Sequence, residues 1–248
     1  IADSAASFTI TLDVTAINDT PTILGKNLKS FETTAIDIAA DGATDTIAID
    51  IDRDGDIDIL ASSSEDDTVA WYENDGSENF TKNIITTTAD GVTDIFAIDI
   101  NNDGDIDILS ASVNDNTIAR YINDGSQNFT KIPINSSATQ ASSVHAIDID
   151  SDGDIDALSA SRGDNTIRWY ENDGARNFSV HVISSNETAA TSVFAVDLDQ
   201  DGDSDILVTS YFDNSVSWYE NDGSEQFTKN LISASVNGAI DVMSIDID

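Results

Sequence analysis

Four nine-residue stretches hold the chain's densest chemistry: DIDRDGDID from Asp50, DINNDGDID from Asp99, DIDSDGDID from Asp148 and DLDQDGDSD from Asp197. Each start lies 49 residues after the last, and a fifth copy opens at Asp246. Every stretch places oxygen-bearing side chains at alternate positions around a glycine. In the first these are Asp50, Asp52, Asp54, Asp56 and Asp58; in the second Asp99, Asn101, Asp103, Asp105 and Asp107. The third offers Asp148, Asp150, Asp152, Asp154 and Asp156, and the fourth Asp197, Asp199, Asp201, Asp203 and Asp205. A hard cation such as calcium takes six to eight oxygens, and a tight turn opened by glycine lets carboxylates converge on it. Positions 1, 3, 5 and 9 would give carboxylates and position 7 its carbonyl. Asn101 keeps an oxygen and loses a charge. The alternative, a solvated acidic turn, would crowd unneutralised carboxylates together in four copies. We therefore expect about four calcium sites.

These loops are not EF-hands, which end in a bidentate glutamate at position 12 and join helices. Position 12 here is Ala61, Ser110, Ser159 or Val208, and Asp56-Ile57-Asp58-Ile59 alternates as a strand does. The elements that position the loops must therefore be strands. One repeat offers four: 46–52, 56–63, 69–74 and 80–86, with a hairpin signal at Asn74-Asp75-Gly76 that recurs at Asn123, Asn172 and Asn221. Four short antiparallel strands in a repeat of this length make a β-propeller blade. A calcium-binding β-helix would need a nine-residue period, and isolated four-stranded modules would bury too little surface.

On these loops, and on the strand Trp71–Phe80 (WYENDGSENF) that resembles bacterial members, residues 46–248 resemble FG-GAP/VCBS repeats, the calcium-loop blades also found in integrin α-subunits. The resemblance implies an all-β propeller, commonly of about seven blades, with calcium between the first two strands of each blade. Only four complete repeats are present, at about 46–94, 95–143, 144–192 and 193–241, with a partial one from 242. This fits a fragment of a larger propeller.

The propeller region is expected to start near residue 25. Phe31–Asp45 aligns with Phe80–Asp94, so a lone fourth strand is expected at 31–38, placed to complete the last blade. Residues 1–24 alternate as one strand and then read Asn18-Asp19-Thr20-Pro21. They resemble the tail of a bacterial cadherin-like or immunoglobulin-like module followed by a linker.

With 10 Lys and Arg against 47 Asp and Glu, the formal charge is −37. That opposes binding to nucleic acid or an anionic membrane surface, and no segment is long and apolar enough for membrane insertion. The chain has no cysteine. Its acidity suits a salty, calcium-rich medium, which with the resemblance suggests a secreted or cell-surface bacterial protein. Trp71, Trp169 and Trp218 share one slot, filled by Arg120 in the second repeat, and are expected to pack between blades. His181 shares a slot with Asn83, Ile132 and Asn230; His145 shares one with Ile47, Phe96, Phe194 and Met243.

Slots common to all repeats serve the fold and the metal, so recognition must use positions that differ. These lie in the turns after the second strand (Ser64-Glu65, Val113-Asn114, Arg162-Gly163, Tyr211-Phe212) and in the loops between blades. Arg162, Tyr211 and Phe212, with His145 behind them, are the candidate ligand-binding residues, on the face opposite the calcium loops. The reading is an adhesion or ligand-binding module for an extracellular glycan or protein. Its alternatives are a polysaccharide-active enzyme with catalytic residues elsewhere and a structural spacer.

Overall fold

The computed structural model describes residues 35–246 except Glu78. The segment expected to be an upstream module (1–24) lies outside the described residues. So does most of the lone strand at 31–38; its described part, 35–38, is not in a strand. From Ala39 onward the chain forms one compact unit.

Sixteen strands and no helix occur among the described residues. The first blade is β1 (Ala43–Ile49), β2 (Asp58–Ser63), β3 (Thr68–Asn74) and β4 (Phe80–Thr86). The second is β5 (Val92–Ile98), β6 (Asp107–Ser112), β7 (Thr117–Asn123) and β8 (Phe129–Asn135). The third is β9 (Ala141–Ile147), β10 (Asp156–Ser161), β11 (Thr166–Asn172) and β12 (Phe178–Ser184). The fourth is β13 (Ala190–Val196), β14 (Asp205–Ser210), β15 (Ser215–Asn221) and β16 (Phe227–Ser233). Each blade is an antiparallel meander in chain order.

First strands are innermost: β5 packs beside β1, β9 beside β5 and β13 beside β9. Side-chain hydroxyls join them. Thr44, Thr93, Ser142 and Thr191 donate to the carbonyls of Val92, Ala141, Ala190 and Ala239, at 2.8–3.2 Å. The hydrophobic core is correspondingly divided into layers between blades. Leu60, Val69 and Trp71 of the first blade meet Val92, Ile95 and Ile108 of the second. Similar layers join the second blade to the third and the third to the fourth. The sheets do not close into a ring among the described residues.

Two local details differ from the sequence expectation. The innermost strand runs Ala43–Ile49, because it starts through a bulge between Ala43 and Asp45 and because Asp50–Asp52 already belong to the acidic loop. The Asn-Asp-Gly signal does not make a two-residue hairpin. The turn is longer than two residues: Asn74 Oδ1 accepts from Gly76 N (3.2 Å) and Asp75 Oδ1 from Ser77 N (2.9 Å) and Asn79 N (3.2 Å). Asparagine and aspartate side chains substitute here for backbone acceptors, as these residues do in turns.

Candidate metal centres and the opposite face

Each acidic loop is a curl held by its own carboxylates. In the first, Asp50 Oδ2 accepts from Gly55 N (3.1 Å), Asp52 Oδ1 from Asp54 N (3.1 Å) and Asp54 Oδ1 from Asp56 N (2.9 Å). Gly55 sits at φ +98°, a conformation that strains any residue with a Cβ. The aspartate at position 9 begins the second strand and is fully buried. Asp58 Oδ2 accepts from Ile51 N (3.0 Å) and Oδ1 from Asn74 N (2.9 Å), so it clamps the loop to the far end of β3. Asp156 and Asp205 repeat both bonds.

The curl brings carboxylate oxygens within 4.8 Å of one another in three groups: Asp50, Asp52 and Asp58; Asp148, Asp150 and Asp156; Asp197, Asp199 and Asp205. Each group could hold a metal ion. Positions 5 and 7 fall outside these groups. Asp54, Asp103, Asp152 and Asp201 instead accept from the amide two residues on. The position-7 carboxylates of Asp56, Asp105, Asp154 and Asp203 pack on the hairpin glycines, so a Cβ there would push the carboxylate aside.

The second loop, with Asp99 and Asp107 around Asn101, forms no such three-carboxylate group. Asn101 Oδ1 accepts from Asp103 N (2.9 Å), and its Nδ2 is buried without a partner. Arg53 of the preceding loop places Nη1 3.8 Å from Asp105 Oδ1. Asn102 donates to Gly153 O (3.2 Å), so this loop also touches the next one.

The donor set fits a hard cation. Asp50 Oδ1 and Asp148 Oδ1 are buried oxygens that no protein group satisfies, and a buried lone carboxylate oxygen is costly. Burial and then neighbouring carboxylates push Asp52, Asp58, Asp150 and Asp199 upward, and raise Asp107 and Asp156 to about 6. Burial is the larger cause at each, and the neighbouring carboxylates add to it.

At the other end of each blade, the turn after the second strand bonds to the preceding inter-blade loop. Ser64 N, Val113 N, Arg162 N and Tyr211 N donate to Gly42 O, Gly91 O, Gln140 O and Ala189 O at 2.8–3.0 Å. There the starts of the inner strands surround a cavity of about 370 Å³. Arg162 lines it. Tyr211 and Phe212 do not; they pack edge to face on the next blade's turn, both exposed. His145 does not line it either. Its ring is buried between Phe96 and Phe194, at centroid distances of 4.5 and 4.7 Å, and burial pushes its pKa down to about 4.

Sequence reasoning overlooked Asp45, Asp94 and Asp241 in this cavity. They share one repeat slot with Ser143 and Ser192, so the signal was an acid in some copies and a serine in others. It also overlooked Glu187. This fully buried residue stands where other repeats have Ala89 and Ala138, and it accepts from Ser210 Oγ (2.7 Å), Tyr219 OH and Lys229 Nζ.

A family model described as FG-GAP-like repeat matches residues 50–110, 99–159, 148–208 and 197–248, each match opening on the first aspartate of a loop. No curated protein matches the chain. Among solved structures, the biofilm matrix protein Bap1 of V. cholerae is similar with a TM-score of 0.53 at 20% identity, covering 79% of this chain and 29% of that one. Virginiamycin B lyase from Staphylococcus aureus is similar with a TM-score of 0.51 at 11% identity, covering 79% of this chain and 62% of that one. The chain thus spans less than two thirds of either, and at these identities the likeness is one of fold.

Proposed function

We propose that this chain, which belongs to the FG-GAP-like repeat family, is a calcium-stabilised β-propeller module of a large secreted or cell-surface bacterial protein that works in adhesion or ligand binding. One observation carries the calcium reading: three converging carboxylate groups, two of them with a buried first-position oxygen that no protein group satisfies. Calcium accepts such an irregular all-oxygen set, whereas magnesium demands octahedral geometry and keeps several waters. Bound there, calcium would neutralise carboxylates that otherwise repel one another. The chain's own residues do the rest. Position 1 and position 3 carboxylates are pre-shaped by amide bonds, and the position-9 aspartate ties the loop to two strands.

Loops of the weak extracellular type bind calcium with Kd of about 10⁻⁴–10⁻³ M, which suits a secreted protein. Bap1, a protein of similar fold, is a biofilm matrix protein, which supports an adhesive setting. The face for an extracellular glycan or protein ligand is the one carrying Arg162, Tyr211 and Phe212, where the repeats differ. Thermal melts with calcium, magnesium and excess chelator test the metal. We expect a higher melting temperature in calcium alone, and an unchanged curve in chelator would overturn the reading. A glycan and protein binding screen tests the face: an Arg162→Ala/Tyr211→Ala variant that keeps its calcium response should lose the ligand that the wild type binds.

A further inference from the structure

The cavity on the ligand face contains charges of both signs that do not neutralise each other. Asp45 and Asp94 stand side by side at the starts of β1 and β5. Each holds a neighbouring blade's amide: Asp45 Oδ2 accepts from Ile95 N (3.2 Å) and Asp94 Oδ2 from Val144 N (2.8 Å). Asp94 also accepts from Ser143 and shares a hydrogen bond with Asp45; that bond between two carboxyl groups needs one proton, so the pair carries one negative charge, and its remaining lone pairs can still accept from a ligand. Burial first, and then the charge of Asp45, push Asp94 up to about 7. Asp241 adds a third carboxylate, held by Ser192 Oγ (2.9 Å). Arg162 lines the same space from an exposed turn, and its guanidinium has no hydrogen-bond or ion-pair partner among the described residues. A free guanidinium is a fork made for a carboxylate.

We propose that this cavity binds a small zwitterion of the α-amino-acid type, with its carboxylate on Arg162 and its ammonium on Asp45 and Asp94. The inference rests on the reading of this face as a ligand face and names the ligand's chemical class. A simple anion satisfies Arg162 but meets three carboxylates and a chain of net charge −37. A simple amine leaves the guanidinium unpaired. A molecule carrying both groups matches both ends and adds no net charge. The volume, about 370 Å³, suits one such small molecule. Ile240 supplies an apolar wall for its side chain.

The test is calorimetric titration of the 248-residue chain in saturating calcium with L-alanine, methylamine, acetate and glucuronate. L-Alanine should bind with a Kd of about 1 mM or tighter, and methylamine and acetate at least about tenfold more weakly. Arg162→Ala, on an exposed turn, should weaken L-alanine about tenfold and leave the calcium-dependent melting temperature in place. Asp45→Asn should weaken it similarly. Absence of saturable L-alanine binding, equal binding by Arg162→Ala, or tighter binding of glucuronate would each overturn the proposal. The glycan and protein screen on the same samples separates this outcome from failure of the ligand-face reading: an Arg162-dependent ligand found there with no L-alanine binding overturns the amino-acid class alone, and no Arg162-dependent ligand of any kind overturns both.

Discussion

The second loop should be the weakest cation site, and one substitution should repair it. In the first loop, Asp52 turns one carboxylate oxygen to Asp54 N and contributes to the converging group. Asn101 makes the equivalent bond to Asp103 N, which leaves a buried amide nitrogen in place of the second carboxylate oxygen. An amide N–H₂ cannot ligate a cation. Asn101→Asp restores an anionic oxygen at that point. Charged hydrogen-bonding and ion contacts are worth roughly 1.5–3 kcal/mol, so affinity at this loop should rise about tenfold to a hundredfold at 1.4 kcal/mol per decade. Arg53, half-exposed and 3.8 Å from Asp105, contributes less, under about 1 kcal/mol. The assay is calorimetric calcium titration at fixed ionic strength, paired with melting curves. Wild type should show three comparable sites and one weaker; the variant should approach four. At about 100 Kd of free calcium a filled site adds about 2.7 kcal/mol, or roughly 5–10 °C for a unit of this size. In chelator the sign reverses, because the new carboxylate adds repulsion with nothing to offset it. Four equal sites in wild type, or an unchanged isotherm in Asn101→Asp, would refute the reasoning.

His145 gives a pH prediction. Its pKa falls from 6.5 to about 4 on burial, so as pH drops the unfolded chain takes up the proton first. Stability is therefore lost between about pH 6.5 and 4, by up to roughly 3 kcal/mol. His145→Phe should remove that loss, so urea midpoints of variant and wild type should diverge at pH 4.5 more than at pH 7; parallel midpoints would count against it. Glu187→Ala should destabilise by about 1–3 kcal/mol, since Ser210 and Tyr219 lose their buried acceptor. Glu187→Gln should lose less, as read by the same denaturation. Gly174→Ala should cost about 1 kcal/mol or more from its positive φ, and should displace Asp154 as well. A melting temperature equal to wild type would show that this hairpin tolerates the change.

The parts legible in the sequence were those fixed by local stereochemistry. A nine-residue curl with alternate oxygens and one glycine has few other uses, and its 49-residue recurrence required a blade. Contacts that depend on register were less legible. The position-9 aspartate reads as a metal ligand in the sequence. Only the pairing of β2 with β3 shows that Asp58 also caps Ile51 N and Asn74 N. Arg162 was singled out because it differs between repeats. Its companions in the cavity were not, because Asp45, Asp94 and Asp241 meet only once neighbouring inner strands pack together.

The chain uses one physical device twice, with different tolerance. A carboxylate accepts backbone amides within a blade at Asp58, Asp107, Asp156 and Asp205, and between blades at Asp45 and Asp94. The first set is invariant across the repeats, since each residue must accept an amide and also present charge to the loop. The second set tolerates serine, because capping one amide of the next blade needs only one acceptor: Ser143 Oγ takes Val193 N (3.3 Å) and Ser192 Oγ takes Val242 N (3.4 Å). Where serine would suffice, an aspartate carries a negative charge that the fold does not require. Asp45, Asp94 and Asp241 line the same cavity as Arg162.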